Sequence, residues 1–282
     1  MRNPVHETSS LTRRSFLKGS TAAAVAASLP IPASAGMAGS YSAEDDRSSV
    51  NALLISATTL KGKGSLEHAH EAMRELYGSI RRILLINFAS LPGERDAYAE
   101  RMQRDFRAIH PDMVVDSLHQ VDISRAEAAV RKAEAFYVSG GNTFLLLREL
   151  YDRKVVDLMR KRVLGGVPYA GSSAGSNIGG LCIGTTNDFP ITDVPTRRSL
   201  GLFNGIYNPH HPEEAAIDFA SRQWKIRQYA RFNPDETVVG VPDSGMLRIQ
   251  GNRVTLLGEG AVAFVQQGGD GRRVNSGEAV FQ

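Results

Sequence analysis

The chain has one cysteine, Cys182, in 282 residues. Without a partner it cannot form an internal disulfide, so a disulfide-stapled scaffold is excluded. Long apolar runs are lacking as well. The mild run from Thr21 to Ile31 is broken by Ser28 and Pro30, and it falls short of the roughly 20 apolar residues that a bilayer-spanning helix needs. An excess of one charge is also missing from most of the chain. The formal net charge of +3 resides in residues 1–35, where Arg2, Arg13, Arg14 and Lys18 face only Glu7; beyond them the basic and acidic residues balance. That balance removes the electrostatic case for a nucleic-acid partner. What is present is an ordinary globular mixture, 42% hydrophobic and 22% charged. It excludes a disordered polyelectrolyte and a collagen-like repeat, and the length suffices for one large α/β domain.

Residues 1–35 read as an address. Thr12-Arg13-Arg14-Ser15-Phe16-Leu17-Lys18 puts an arginine pair ahead of the apolar run, which closes on the small residues Ala33-Ser34-Ala35. The order of charged segment, apolar segment and small-residue site resembles a twin-arginine export signal, which predicts passage through the twin-arginine translocase, cleavage and no stable membrane anchor. Residues 36–49, rich in Gly, Ser, Ala and acids, read as a linker that cannot bury a core. The globular domain is expected over 50–282.

Within that domain short apolar runs alternate with amphipathic stretches. Ala52 to Ser56, Ile83 to Phe88, Met113 to Val115 and Phe136 to Val138 have the character of strands buried on both faces. After Pro92, Tyr98, Met102, Phe106 and Ile109 recur at helical spacing. The alternation predicts a mostly parallel sheet with helices on both faces. Met246 to Ile249, Val254 to Leu257 and Ala261 to Val265 predict antiparallel strands at the C-terminal end, the first two joined through Gly251-Asn252. In such sheets ligands bind beyond the carboxyl ends of the strands, so the loops there are where chemistry belongs.

One of those loops is Gly171-Ser172-Ser173-Ala174-Gly175, a G-x-S-x-G pattern between a short strand and a helix. A serine at such a turn is held in a strained conformation with free N–H groups beside it, chiefly that of Ala174, to receive an oxyanion. A hydroxyl is a poor nucleophile near neutrality and needs an imidazole to take its proton and an acid to orient the imidazole. Asp188 and His210 follow downstream in that order. The turn Ser139-Gly140-Gly141-Asn142-Thr143 offers a second set of amides, and Asn142 or Thr143 can cap the next helix.

Other residues draw plainer readings. His211 competes with His210 for the base role, but adjacent side chains point apart and only one can meet Ser173. His68 and His70, two apart, do not share a helix face and are poor joint metal ligands. Cys182 lies in an apolar run and reads as a buried inert thiol. Lys61-Gly62-Lys63-Gly64-Ser65 lacks the Gly-Lys-Ser/Thr order of a phosphate loop. Trp224 reads as a packing residue on an amphipathic helix.

Several of these segments together resemble the peptidase E family of serine peptidases, family S51. The likeness runs through Leu53 to Ser56, Thr59 to Lys63, Leu66 to Ala69, Gly140 to Phe144, Gly171 to Asn177, Thr185 to Pro190 and Asn208 to His210. It implies the flavodoxin- or Rossmann-like fold shared with class I glutamine amidotransferases. It also implies Ser173 as nucleophile, His210 as base, Asp188 as orienting acid, and the amides of Gly140, Gly141 and Ala174 around the oxyanion. Arg222 is the matching arginine for an aspartyl side chain, with Asn142 also at the substrate. Asp243, in Val241-Pro242-Asp243, lies where the family tends to have glutamate and is a second acid that can share or replace the role of Asp188. The resemblance implies hydrolysis of dipeptides with N-terminal aspartate through an acyl-enzyme, without metal or cofactor. A cyanophycinase-like peptidase on β-linked or polymeric aspartyl peptides is the alternative enzyme, and a non-catalytic aspartyl-peptide binding protein the alternative outside enzymes.

Overall fold

Alternation of apolar side chains along β1 (Asn51–Ile55) sets the layering of the protein. Leu53 and Ile55 enter one core and Ala52 and Leu54 the other, as expected when successive residues of a strand face opposite sides. The computed structural model describes residues 45–281; the export signal and most of the predicted linker fall outside these. After β1 come α1 (His70–Tyr77), β2 (Arg82–Ile86), α2 (Arg95–Ile109), β3 (Val114–Ser117), α3 (Ala126–Lys132) and β4 (Phe136–Val138). The chain continues through α4 (Thr143–Asp152), α5 (Val156–Leu164), β5 (Tyr169–Ser172), α6 (Ala174–Asn177), β6 (Ile206–Asn208), α7 (Phe219–Phe232) and β7 (Thr237–Gly240). It ends on β8 (Met246–Gln250), β9 (Arg253–Leu257), β10 (Val262–Gln267), β11 (Asp270–Asn275) and β12 (Ala279–Phe281).

The main sheet has the order β12-β9-β8-β1-β5-β4-β2-β3. The segment from β1 to β3 is parallel throughout, and β8, β9 and β12 extend it with antiparallel pairings. This is the expected α/β class. Met73, Leu76, Met102, Phe106 and Ile109 of α1 and α2 cover one face, while Val130, Leu146, Leu150, Met159 and Val163 of α3, α4 and α5 cover the other. Each such side chain, once fully buried, contributes about 1.5–3 kcal/mol. Tyr98, on the same stripe of α2, is only half-buried and stands at the margin of the helix.

Three features depart from the sequence reading. Val262–Gln267 does not continue the hairpin into the main sheet; β10 joins a second sheet of order β11-β10-β7-β6. Within it β6 and β7 run parallel, with Asn208 opposite Gly240. Trp224 is 60% exposed, because α7 turns Gln223, Ile226 and Ala230 inward and leaves position 224 on the outer face. The chain is also tied down before residue 50. Asp45 accepts a hydrogen bond from Arg160 at 2.5 Å, and Arg47 donates to the carbonyl of Gly201.

Candidate active site

Parallel neighbours release their chains at the same edge of a sheet, and that edge collects the candidate residues. β5 ends at Ser172, and Ser173 turns sharply into α6 with φ 51° and ψ −111°. A non-glycine residue held there costs about 1–3 kcal/mol and persists only where the surroundings over-determine it. The surroundings do so. The amide of Ser173 donates to Ile55 and its carbonyl accepts from Asn177, and α6 lies so close to β4 that a Cβ on Gly175 would stand 2.1 Å from the carbonyl oxygen of Val138. Beneath the turn, the Ser172 hydroxyl is buried, within 3.0 Å of Thr58 Oγ1 and 2.9 Å of the Tyr137 hydroxyl. Ser172 is thus committed to structure, and Ser173 faces outward.

His210 follows β6 and, like Ser173, has a positive φ, 54°. Its amide donates to Ser56 Oγ at 2.8 Å, and that hydroxyl donates to the carbonyl of Val241. The ring is thereby aimed at β5. Nε2 lies 2.7 Å from Ser173 Oγ, and Nδ1 lies 2.6 Å from Asp243 Oδ1. With Nδ1–H donating to the carboxylate, Nε2 is the acceptor for the serine hydroxyl. The bond from His210 holds the Asp243 carboxyl below the usual carboxylate range against the opposing effect of desolvation.

The carboxylate on the imidazole is therefore that of Asp243, and Asp188 is elsewhere. Asp188 Oδ2 accepts from the amide and hydroxyl of Thr143 at 2.7 and 2.5 Å, with Thr186 Oγ1 at 3.3 Å. It secures the start of α4, directly after the Gly140-Gly141 turn. Asn142 secures the same helix start, since Oδ1 caps the amide of Leu145 and Nδ2 donates to the carbonyl of Phe189. Neither residue lines the cleft that opens over Ser173 and His210. Arg222 is also apart. Its Nη1 donates to Asn208 Oδ1 at 3.2 Å, and it lines a separate cavity of about 270 Å³ with Asn187 and Lys225. There it braces the loop of His210 from behind.

The Gly140-Gly141 turn packs on the nucleophile, since a Cβ on Gly140 would stand 3.6 Å from Ser173 Oγ. Gly141 has φ 132°, and a Cβ there would lie 2.4 Å from the carbonyl oxygen of Ala89, so conformation and space both demand glycine. The amides of Gly140, Gly141 and Ala174 make no hydrogen bond among the described residues, leaving donors free beside the serine. A cleft of about 450 Å³ opens over Ser173 and His210, with Thr58, Ser65, Tyr98 and Arg101 in its walls. Sequence reasoning misses Tyr98 as a wall residue and Arg101 altogether. The signal is α2 itself, whose Tyr98 sits at the polar margin of the apolar stripe.

His211 takes no part in the cleft. Its ring is 2% exposed and stacks on Phe264; Nδ1 lies 2.9 Å from the carbonyl of Pro212 and Nε2 3.0 Å from Gln223 Nε2. Nδ1 donates and Nε2 accepts, which fixes a neutral ring, and desolvation pulls the pKa down to about 4 from 6.5. The unfolded chain takes up this proton first as the pH falls. Stability is therefore full above pH 6.5 and declines towards pH 4, with His211 accounting for about 2 kcal/mol between pH 7 and 5. Denaturant unfolding at those two pH values should show a smaller acid loss for His211→Gln than for the wild-type chain; equal losses would contradict this. Cys182 is buried against Tyr229, and burial pushes its thiol up, away from the reactive thiolate.

Comparison with known proteins decides the family. The profile described as Peptidase family S51 matches residues 52–257. The chain belongs to peptidase family S51. A peptidase E of Shewanella amazonensis is 34% identical over 217 residues, covering 76% of this chain and 91% of that one. A Drosophila melanogaster protein named "Probable alpha-aspartyl dipeptidase" is 36% identical over 227 residues, 78% and 91% of the two chains. Among solved structures, a peptidase from an acI-B1 Actinobacterium shares the fold with a TM-score of 0.58 at 15% identity, covering 83% of this chain and 97% of that one. The S51 match spans every loop of the cleft, from Thr58 to Asp243. A twin-arginine signal sequence matches residues 10–30, so this S51 peptidase is exported by that pathway to the periplasm or beyond. No helix among the described residues is long and apolar enough to cross a membrane.

Proposed function

We propose that this S51 peptidase is an exported serine dipeptidase that hydrolyses Asp-X dipeptides through an acyl-enzyme. The observation that carries the reading is the continuous chain Ser173 Oγ to His210 Nε2, 2.7 Å, and His210 Nδ1 to Asp243 Oδ1, 2.6 Å. His210 takes the hydroxyl proton as Oγ attacks the peptide carbonyl, and the imidazolium so formed is stabilised by Asp243. The oxyanion is received by the free amides of Gly141 and Ala174, with Gly140 beside them. The C–N bond breaks as the Nε2 proton passes to the amine. Water then repeats the sequence: its proton goes to His210, its oxygen to the acyl carbon, and Ser173 recovers its hydrogen. None of these steps draws on a cofactor.

The aspartyl preference is supported by the Drosophila relative named for it and by a cleft whose one fixed charge among the described lining residues is positive, at Arg101. A panel of Asp-X, β-Asp-Arg and Ala-X dipeptides on the mature protein tests the reading. The expected result is kcat/KM for Asp-X about 10- to 100-fold above Ala-X, the discrimination that one charge-assisted pair can supply. Preference for β-Asp-Arg would assign the chain to cyanophycinase-like chemistry. Binding of Asp-X without turnover, and without labelling by a serine-directed phosphonate, would make it a binding protein.

A further inference from the structure

We infer that the recess between α7 and the β10-β11 pair is a binding site for a small soluble polyanion, one carrying two or more phosphate or carboxylate groups. The recess shares no lining residue with the cleft of Ser173 and His210, so the inference stands whatever the chain hydrolyses.

Charge gathers here against the trend of the chain. Beyond residue 35 the basic and acidic residues balance, yet this recess of about 370 Å³ is walled by Arg227, Arg231, Arg272 and Arg273 against a single carboxylate, Glu214. Four cations facing one anion leave a local excess of +3. Half of the cations come from α7, whose 14 residues include Arg222, Lys225, Arg227 and Arg231 and no acid. Arg227 and Arg231 are four apart on one helix face and repel each other, which weakens the helix on its own. An anion between them turns that repulsion into a shared attraction.

The frame of the recess is held while its charged tips are free. Gln266 is 4% exposed and donates to the carbonyls of Gly268 and Asp270, which fixes the turn from β10 to β11. Phe264 stands opposite Arg273 in that pair. From the other side Phe219 of α7 meets Phe264 edge-on, with centroids 5.0 Å apart, and Gln223 is bonded to the buried His211. Helix and hairpin are thus fixed against each other. Arg273 is paired with Glu214, and Arg272 donates to the carbonyl of Val280 at 2.6 Å. Arg227 and Arg231 make no hydrogen bond or ion pair among the described residues. Each guanidinium fork fits a carboxylate or phosphate through two parallel hydrogen bonds. Several forks in one recess suit a ligand with several such groups.

The test is calorimetric titration of the mature protein with pyrophosphate and with tricarballylate, at constant ionic strength set with sodium chloride. Both should bind at one saturable site per chain and raise the unfolding midpoint as their concentration rises. Arg227→Gln and Arg231→Gln should each weaken binding by about 10- to 100-fold, the range of a charge-assisted pair. Both side chains are exposed and hold no other described group, so the midpoint without ligand should not fall. Arg227→Lys and Arg231→Lys, which keep the charge but lose the fork, should weaken binding less. Arg101→Met and Arg222→Met, in the walls of the other two cavities, should leave the affinity unchanged. The inference is overturned if neither anion binds at millimolar concentration, or if both glutamine variants bind like the wild-type chain. Loss of binding in Arg101→Met or Arg222→Met would place the anion in another cavity and overturn it too. So would sedimentation with phosphatidylglycerol vesicles by a protein that takes up neither soluble anion, since the patch would then face a membrane.

Discussion

Ser173→Ala is expected to lower kcat on Asp-X by about 10⁶-fold, the scale seen when a serine nucleophile is removed from a triad that acts as a unit. The expectation is this large because, among the described residues, no other hydroxyl or thiol is hydrogen-bonded to the His210 ring. Ser172 is next in sequence, but its hydroxyl is buried between Thr58 and Tyr137. Cys182 is buried against Tyr229. The variant should keep its circular-dichroism spectrum and unfolding midpoint, and should still bind Asp-X, since the free amides and the cleft walls are untouched. Steady-state turnover, circular dichroism with denaturant unfolding, and calorimetry read the three consequences. Turnover within tenfold of the wild-type chain would remove Ser173 from the chemistry.

The second large effect separates two carboxylates. Asp243→Asn should lower kcat by about 10³- to 10⁴-fold, because an amide at that position can present N–H to Nδ1 and favour the tautomer that cannot accept the serine proton. Asp188→Asn should lower kcat by about tenfold or less. Its cost falls on stability instead, about 1–3 kcal/mol, because the amide and hydroxyl of Thr143 lose a charged acceptor. Measuring kcat and denaturant midpoint for both variants tests the assignment twice. The reverse ranking in kcat would return the orienting role to Asp188.

The same pair shows how far the sequence can be read. The parallel core of the sheet, the helix after Pro92 and the strand-turn-helix setting of Ser173 are legible, because each is written in local periodicity and in glycine spacing. The acid is not, because chain order is a poor guide to contact. Asp188 precedes His210 and completes the order Ser, Asp, His, while Asp243 comes 33 residues later, after a different strand. What joins it to His210 is the parallel pairing of β6 with β7, Asn208 against Gly240. That pairing places Pro209-His210 and Pro242-Asp243 side by side. A faint signal exists: Ile206-Tyr207-Asn208 and Val238-Val239-Gly240 are both short apolar runs, each followed closely by a proline and a functional residue. The second sheet that β6 and β7 build with β10 and β11 escapes the sequence for a related reason. Its strands are interrupted by α7 and by the β8-β9 hairpin of the main sheet, and periodicity carries no information about partners. Arg222 is suggested by its helix alone, and only the hydrogen bond to Asn208 shows that it faces the rear of the histidine loop.

The segment from Thr185 to Asp188 bonds to both sides of the site. Asp188 grips Thr143, beside the turn that supplies free amides, while Asn187 Nδ2 donates to the carbonyl of Pro209 and Asn208 Nδ2 reaches the carbonyl of Thr185. It is a crossbeam between two walls that share no strand. Loosening it would let both walls drift together, so damage there should register as a concerted loss of competence, with the hydroxyl and the imidazole falling out of line in a single event. A protease nick or a destabilising substitution in this short span would then silence the enzyme while leaving each reacting group chemically intact.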